Sequence, residues 1–431
     1  MKAAVVGLGK IGLPLAVQVA GEGTRTIGAD IDPNVVTTVN AGRPPFPGEA
    51  ELEERLRAVI ADGTFRATVS TGEAVALADV IVVVVPLVVD SAGVPDFRGI
   101  DQATAEIGRA LQPGQLVVYE TTVPIGTTRN RFGPALAELS GLAMGKGFYL
   151  AFSPERVSSG RVFRDLRSYP KLVGGVNFES TTAAVDFYEH VIDFDSRDDL
   201  KRPNGVWNVG RAETAEFVKL AETTYRDVNI ALANEFAAHA EALGLDIWEI
   251  IEAANSQPFS HIHGPGIAVG GHCIPVYPRF YLAGHPKATL PAAARAVNEA
   301  QPDRAVARLE GLMGSLEGKT VAILGAAYRG GVKETAFSGV FAVVDAITAR
   351  GGRPLVHDPL YNDDELRSLG LEPYHLGGPA DAAIVQTDHC EYQSLKPDDL
   401  PDCRAVIDGR RILDDNLWSV FEGVLARIGT A

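Results

Sequence analysis

The stretch Lys2-Ala3-Ala4-Val5-Val6-Gly7-Leu8-Gly9-Lys10-Ile11-Gly12-Leu13-Pro14-Leu15-Ala16 decides how the chain is read. Residues 2–6 are a short apolar run that ends in glycines, and residues 13–20 continue with a helical pattern. Gly7, Gly9 and Gly12 match G-x-G-x-x-G in that strand-to-helix context, which points to a dinucleotide. Gly7 permits the tight turn, Gly9 lets backbone approach a pyrophosphate, and Gly12 lets helix and strand pack closely. The helix start then offers free N–H groups to the phosphates. A second strand over residues 26–30 ends in Asp30, about 20 residues on. A carboxylate there binds both ribose hydroxyls and repels a 2′-phosphate, so the expected cofactor is NAD rather than NADP. Gly7, Gly9, Gly12 and Asp30 are the candidate cofactor-binding residues, with Lys10 and Ile11 enclosed in the same motif.

Outward from this motif, strands alternate with helices. Residues 80–85 (VIVVVV) are apolar on both faces, as in a strand buried in a parallel sheet. Residues 116–119 and 147–151 are further strand candidates, and the alternation predicts a doubly wound α/β sheet. Residues 212–243 then run without Gly or Pro, with apolar positions every three or four residues, which predicts one long helix capped at Gly244. A shorter helix is expected over 247–254. A loop rich in Gly, His and Pro follows over 256–278, then a single Ala-rich helix over 292–311. A second α/β unit opens with a strand at 320–324 and continues with candidates at 353–356, 383–385 and 405–407.

Composition narrows the function. The 431 residues carry 55 acidic against 39 basic side chains, a formal net charge of −16, which argues against a nucleic-acid partner. The longest apolar run, residues 80–89, is broken by Pro86 and is far short of the ~20 residues that span a bilayer, so no membrane partner is expected. Three cysteines, Cys273, Cys390 and Cys403, make no disulfide framework. With no secretory leader visible, the expected location is the cytoplasm.

Two further constellations carry chemistry. Cys273 stands in Gly270-Gly271-His272-Cys273-Ile274-Pro275, where flanking glycines leave a sulfur reachable and free nearby N–H groups. It reads either as a nucleophile or as a small buried apolar residue. His261, His263 and His272 lie near, but no second Cys or carboxylate completes a tetrahedral set, so no metal is expected. Lys219, with Thr223 and Arg226 on the same helical face, reads either as a cation aimed into a cleft or as a side chain reaching out to water.

Taken together, the stretches VVGLGKIGLPLA (5–16), ETTVPIGTT (120–128), SPERV (153–157), GRVFRDL (160–166), AEFVKLAETTYRDVNIALANE (215–235) and GGHCIPV (270–276) resemble the nucleotide-sugar 6-dehydrogenases, the UDP-glucose and UDP-N-acetylmannosamine dehydrogenase family. SPERV and RDVNIALANE are more similar to its N-acetylhexosamine branch. The resemblance implies two Rossmann-like domains joined by a long central helix. An NAD-binding domain would occupy 1–200, a central helical dimerisation domain 205–300, and a C-terminal nucleotide-sugar-binding domain 316–431. It implies a homodimer acting on a nucleotide-linked sugar, whose primary alcohol is oxidised to an acid through a thiohemiacetal on Cys273. Lys219 would stabilise the oxyanion and relay protons, and Thr122 and Glu155 would orient water and substrate. Pro86 and Thr122 join the cofactor set. Arg156, Val157, Lys219, Arg226, Gly270, Tyr277, Tyr328 and Arg329 would form the substrate set.

The chain departs from the family pattern at several places. Thr223 replaces an Asn one turn after the lysine, and Tyr277 replaces an Asp four residues after the cysteine. Gln257 and Phe259 replace His and Arg, Leu87 follows Pro86 in place of Thr, and Ala336 replaces an Arg. Arg329 stands where lysine is common. A tyrosine, with a pKa near 10, is a poor base at neutral pH. Two alternatives to the four-electron reading therefore stand. One is a single two-electron oxidation of a different or longer nucleotide sugar, such as a nucleotide octose of antibiotic-sugar biosynthesis, ending at a carbonyl. The other is a degenerate NAD-binding protein without catalysis.

Overall fold

The apolar run at the N-terminus forms β1 (Lys2–Val6), with four of its five residues buried. In the computed structural model, which describes residues 1–90 and 93–430, nine more strands precede the long helix. They are β2 (Arg25–Ala29), β3 (Phe65–Thr68), β4 (Val80–Val83), the short antiparallel pair β5 (Val88–Val89) and β6 (Pro95–Asp96), β7 (Leu116–Tyr119), β8 (Tyr149–Phe152), β9 (Lys171–Gly175) and β10 (Val206–Arg211). All but the short pair form one sheet in the order β10-β9-β8-β7-β4-β1-β2-β3. From β8 to β3 the neighbours are parallel, and β9 turns antiparallel to β8. Strand order therefore reverses between β1 and β4, the crevice where such sheets take their ligands. The sequence pattern did not mark β3, β9 and β10. β3 is four residues long with Arg66 exposed, and β9 ends in two glycines. Gly174 has a packing reason, since a Cβ there would meet the Arg211 carbonyl oxygen of β10 at 2.1 Å.

The second sheet holds β11 (Thr320–Leu324), β12 (Arg353–His357), β13 (Ala382–Val385), β14 (Ala405–Asp408) and β15 (Val424–Arg427). Its order is β12-β11-β13-β14-β15, all parallel, with the reversal between β11 and β13. Both sheets are thus Rossmann-like and doubly wound. The chain separates into two units, Met1–Glu222 with Arg279–Gly284 and Thr223–Pro278 with His285–Ala431. Ala431, the last residue of the expected C-terminal domain, lies outside the described residues.

The central helix spans Ala212–Leu243 and stops at Gly244, which takes φ +74°. Its residues belong to the first unit up to Glu222 and to the second beyond it. In the second unit Asp227 is wholly buried and accepts a hydrogen bond of 2.6 Å from Arg295 Nε, tying this helix to the helix Thr289–Glu299. The single helix expected over 292–311 is in fact two, Thr289–Glu299 and Gln301–Met313. Pro302 sits in the first turn of the second, where a missing N–H costs nothing. The loop over 256–278 holds no strand, and its last residues open the helix Tyr277–Gly284. Among the described residues no helix is long and apolar enough to cross a membrane.

The same local device appears at the head of both sheets. After β1, Gly7 takes φ +96°, its N–H donates to the Ala29 carbonyl at 2.8 Å, and the Leu8 N–H donates to Asp30 Oδ2 at 2.8 Å. After β11, Gly325 takes φ +111°, its N–H donates to the His357 carbonyl at 2.7 Å, and the Ala326 N–H donates to Asp358 Oδ2 at 2.8 Å. The copies differ in their carboxylates. Asp30 is partly open, whereas the Asp358 side chain is wholly buried and bound by His389 Nε2 at 3.1 Å.

Candidate active site

At the crevice beside β1 and β4, the three motif glycines do different work. A Cβ on Gly12 would fall 1.8 Å from the Gly7 carbonyl oxygen, so this glycine seats the helix Gly12–Gly21 against the turn. A Cβ on Gly9 would meet nothing within 4 Å, so its backbone faces open space, as an approaching pyrophosphate requires. Lys10 and Ile11 are partly exposed in the first turn beside it. Asp30 also accepts the Asp32 N–H at 3.0 Å and keeps lone pairs for ribose hydroxyls. The cradle fits NAD. Pro86 is exposed just past β4, and the next residue, Leu87, is buried.

In the same unit, Ile11, Glu155, Arg156 and Val157 share a small cavity of about 20 Å³ with Glu120 and Lys171, room for one water. Lys219, almost fully buried, donates from Nζ to the Glu155 carbonyl oxygen at 2.5 Å. Arg156 pairs with Glu222, one turn past Lys219, at 2.6 Å, and donates to the Pro170 carbonyl at 3.1 Å. The helix that carries Lys219 is thus fastened twice to the loop of residues 155–157. Burial pushes the Glu155 carboxyl up, and the positive charges of Lys219 and Lys171 pull it partly back. Lys171 forms a buried ion pair with Glu120 at 2.8 Å, and Tyr188 also donates to Glu120. Thr122 is buried at the head of the loop of residues 121–127, whose far end is held by Glu216. Burial lifts the Glu216 carboxyl to about 7, against the pull of hydrogen bonds from Thr128 and Gly126. Sequence reasoning singled out neither Glu216 nor the Glu120–Lys171 pair. Their signal was charge inside otherwise apolar or threonine-rich segments.

In the second unit, Gly270 and Tyr328 line a cavity of about 220 Å³ with Ile230, Gly266, Ile274 and Arg410, near the carboxyl ends of β11 and β14. Glycine is required at 270 and 271. A Cβ on Gly270 would lie 2.7 Å from Tyr328 Cβ, and Gly271 takes φ +85° with the Tyr328 ring against it. The Gly271 N–H donates to the Ala336 carbonyl at 2.9 Å, which binds the cysteine loop to the stretch after β11. Arg410 was missed by sequence reasoning. It follows β14, and its Nε donates to the Gln386 carbonyl at 2.8 Å.

Arg226, Tyr277 and Arg329 do not line that cavity. Arg226 is exposed; burial, aided by the Arg226 charge, holds the His263 imidazole below its usual range. The Arg329 guanidinium lies 5.8 Å from the Tyr328 ring centre. Cys273 is partly buried, and its carbonyl accepts the Tyr277 N–H at 2.9 Å, so the cysteine immediately precedes the helix Tyr277–Gly284. Thr223 is buried one turn after Lys219 along the central helix. Among the described residues no group of three His, Cys, Asp or Glu side chains is arranged to hold a metal ion.

Comparison with known proteins reads this arrangement. Residues 1–192 match the NAD binding domain of the UDP-glucose/GDP-mannose dehydrogenase family, residues 213–300 its central domain and residues 322–415 its UDP binding domain. A UDP-N-acetyl-D-mannosamine dehydrogenase of Pyrococcus horikoshii is 34% identical, with 98% of this chain and 99% of the relative covered. An NDP-N-acetyl-D-galactosaminuronic acid dehydrogenase of Ralstonia nicotianae is 32% identical, with 96% of each covered. The solved UDP-D-ManNAc dehydrogenase of Pyrococcus horikoshii superposes with a TM-score of 0.88 at 32% identity, covering 100% of this chain and 99% of that one. The similar relatives thus fall in the N-acetylhexosamine branch. With a cofactor cradle that fits NAD and all three family domains matched in order, the chain belongs to the UDP-glucose/GDP-mannose dehydrogenase family and is an NAD-dependent nucleotide-sugar dehydrogenase.

Proposed function

We propose that the enzyme oxidises the primary alcohol of a UDP-linked N-acetylhexosamine to the acid in two steps. The observation that carries the reading is Lys219, buried and held at 2.5 Å on the Glu155 carbonyl within the NAD-binding unit. NAD, when bound, accepts the hydride that leaves carbon at each oxidation. Lys219 stabilises the developing alkoxide and passes on its proton, a role worth several powers of ten in rate for a pre-placed group. Cys273 attacks the aldehyde as thiolate, and the carbonyl oxygen takes a proton to give the thiohemiacetal. Loss of the second hydride and of the hydroxyl proton leaves a thioester. Water then adds to the thioester carbonyl, and the Cys273 thiol departs as the acid forms. Thr122 and Glu155 orient substrate and water, and Thr223 supplies a hydroxyl one turn further along the helix. Arg156, Val157, Arg226, Gly270, Tyr277, Tyr328 and Arg329 contact the substrate, with nucleotide held in the second unit.

Tyr277 favours a second reading. A phenol at the start of the helix Tyr277–Gly284 is a poor activator of water at neutral pH, which favours one oxidation that stops at a carbonyl. Counting NADH separates the two. Two NADH per sugar, with Cys273→Ala giving no acid, is the expected result. One NADH, a carbonyl product and an active Cys273→Ala would replace the first reading with the second.

The homodimer and the cytoplasmic location belong to the same proposal. Tyr225, Leu232, Phe236 and Leu243 are exposed by 56, 41, 41 and 58% along one helix. Their spacing of seven, four and seven residues makes a single apolar stripe of coiled-coil type, which supports a two-fold pairing of this helix. An odd number of cysteines suits a reducing compartment.

A further inference from the structure

We propose that Glu216 is a positioning residue, a carboxylate latch that sets the loop bearing Thr122 against the helix bearing Lys219. The inference rests on the roles given to Thr122 and Lys219 above.

Glu216 is 1% exposed, a place where a carboxylate costs stability unless it is fully bonded. Each of its oxygens takes one backbone N–H. Oε2 accepts from Gly126 at 2.5 Å and Oε1 from Thr128 at 2.8 Å. These donors end the loop of residues 121–127 and open the helical turn Thr128–Phe132. The head of the loop is fastened separately, by the Thr121 hydroxyl donating to the Val85 carbonyl at 2.6 Å. Thr122 therefore sits between an anchor on β4's extension and an anchor on the central helix. Lys219 follows Glu216 by three residues on that helix, which puts both on one face. Glu213, three residues earlier, forms an ion pair with Arg129 at 2.5 Å and fastens the next turn of the same segment. Glu213 thus neutralises the charged neighbour, and the Glu216 carboxylate is left to the two N–H groups.

Glu216 touches neither substrate nor cofactor in this scheme, so its loss should act through placement. Misplacing a catalytic group by about 1 Å costs on the order of 10²-fold in rate. Glu216→Gln keeps the shape but turns an N–H₂ toward one of the two N–H donors. Glu216→Asp keeps the carboxyl group and shortens the reach, and it serves if the Gln variant does not fold. The expected result is a kcat lower by roughly 10- to 100-fold, with a smaller rise of about 2- to 3-fold in the NAD dissociation constant, since Thr122 is one of several cofactor contacts and the glycine cradle is untouched. Coupling supplies the decisive reading. Thr122→Ala should also lower kcat, and the double variant with Glu216→Gln or Glu216→Asp should be little worse than the worse single one, because both act on one group. Losses that simply multiply, or an unchanged kcat in both Glu216 variants, would overturn the latch while leaving Thr122's role intact. A silent Thr122→Ala would instead overturn the role of Thr122, and the latch with it.

Discussion

Two glycines of one motif, three residues apart, should fail in opposite ways. Alanine at 12 would drive a methyl into the Gly7 carbonyl at 1.8 Å, a backbone contact that cannot yield cheaply. Gly12→Ala should therefore destabilise the first unit by several kcal/mol, on the order of other overpacked sites, and lose NAD binding as a consequence. Alanine at 9 meets no protein atom within 4 Å. Gly9→Ala should unfold within about 0.5 kcal/mol of the parent, yet bind NAD at least ~10-fold more weakly, since its methyl occupies the approach of the pyrophosphate. Urea unfolding alongside fluorescence titration with NAD reads both. A Gly9 variant that binds NAD normally would contradict the cradle. At this scale much was legible: G-x-G-x-x-G and Asp30 follow from backbone requirements local in sequence. Arg410 and Glu216 were not, because their partners lie far along the chain, Gln386 for one and Gly126 and Thr128 for the other.

Among the elements, the long helix was the easiest to read, and the strands at and next to the edges of the first sheet the hardest. Thirty-two residues without Gly or Pro leave the helix no competitor. β3 has four residues, β9 ends in two glycines and β10 is largely exposed and interrupted by Gly210, so pairing with their neighbours is what makes them strands. The helix also carries two acids with opposite pH behaviour. Burial would raise the Glu213 carboxyl, but hydrogen bonds from Arg129 and Arg211 outweigh it and take it from 4.5 to about 2. Its folded value is depressed, so its stabilisation is complete above about 4.5 and is lost as pH falls toward about 2. Glu216 is raised from 4.5 to about 7, so the fold favours its protonated form. That contribution is complete below about 4.5 and is lost as pH rises through about 7. Unfolding midpoints measured from pH 3 to 8 should show Glu213→Gln flattening the acid side and Glu216→Gln flattening the neutral side. Either variant changing the opposite arm would contradict these assignments.

For the whole molecule, the two-sheet plan was legible because each sheet announces itself with an apolar strand running into glycine. Assembly is the property still to be measured. If the stripe of Tyr225, Leu232, Phe236 and Leu243 pairs with its copy, Phe236→Arg should put a charge into an apolar seam. Light scattering should then fall from the mass of a dimer to that of one chain at micromolar concentration, where the parent stays paired. A parent that is already monomeric, or a variant that remains dimeric, would send the interface elsewhere.

The carboxylate grip found after both β1 and β11 bears on how this enzyme can be redesigned. A designer seeking to accept NADP must relax the acid that meets the ribose, and two acids occupy the same place in the two sheets. Only Asp30 is open to solvent and to a ligand. Asp358 is sealed beneath His389 and spends Oδ2 on the Ala326 and Ala327 N–H groups and on that imidazole, and Oδ1 on the Leu360 N–H. Asp30→Ala should narrow the preference for NAD over NADP at a smaller cost in stability, since the Leu8 and Asp32 N–H groups it releases lie nearer solvent. Asp358→Ala should leave the preference untouched and instead lower expression yield and melting temperature, since it strips a buried ring and three amides of their acceptor. One copy of the device is available to engineering and the other is not, although both carboxylates grip the turn after the first strand of their sheet in the same way.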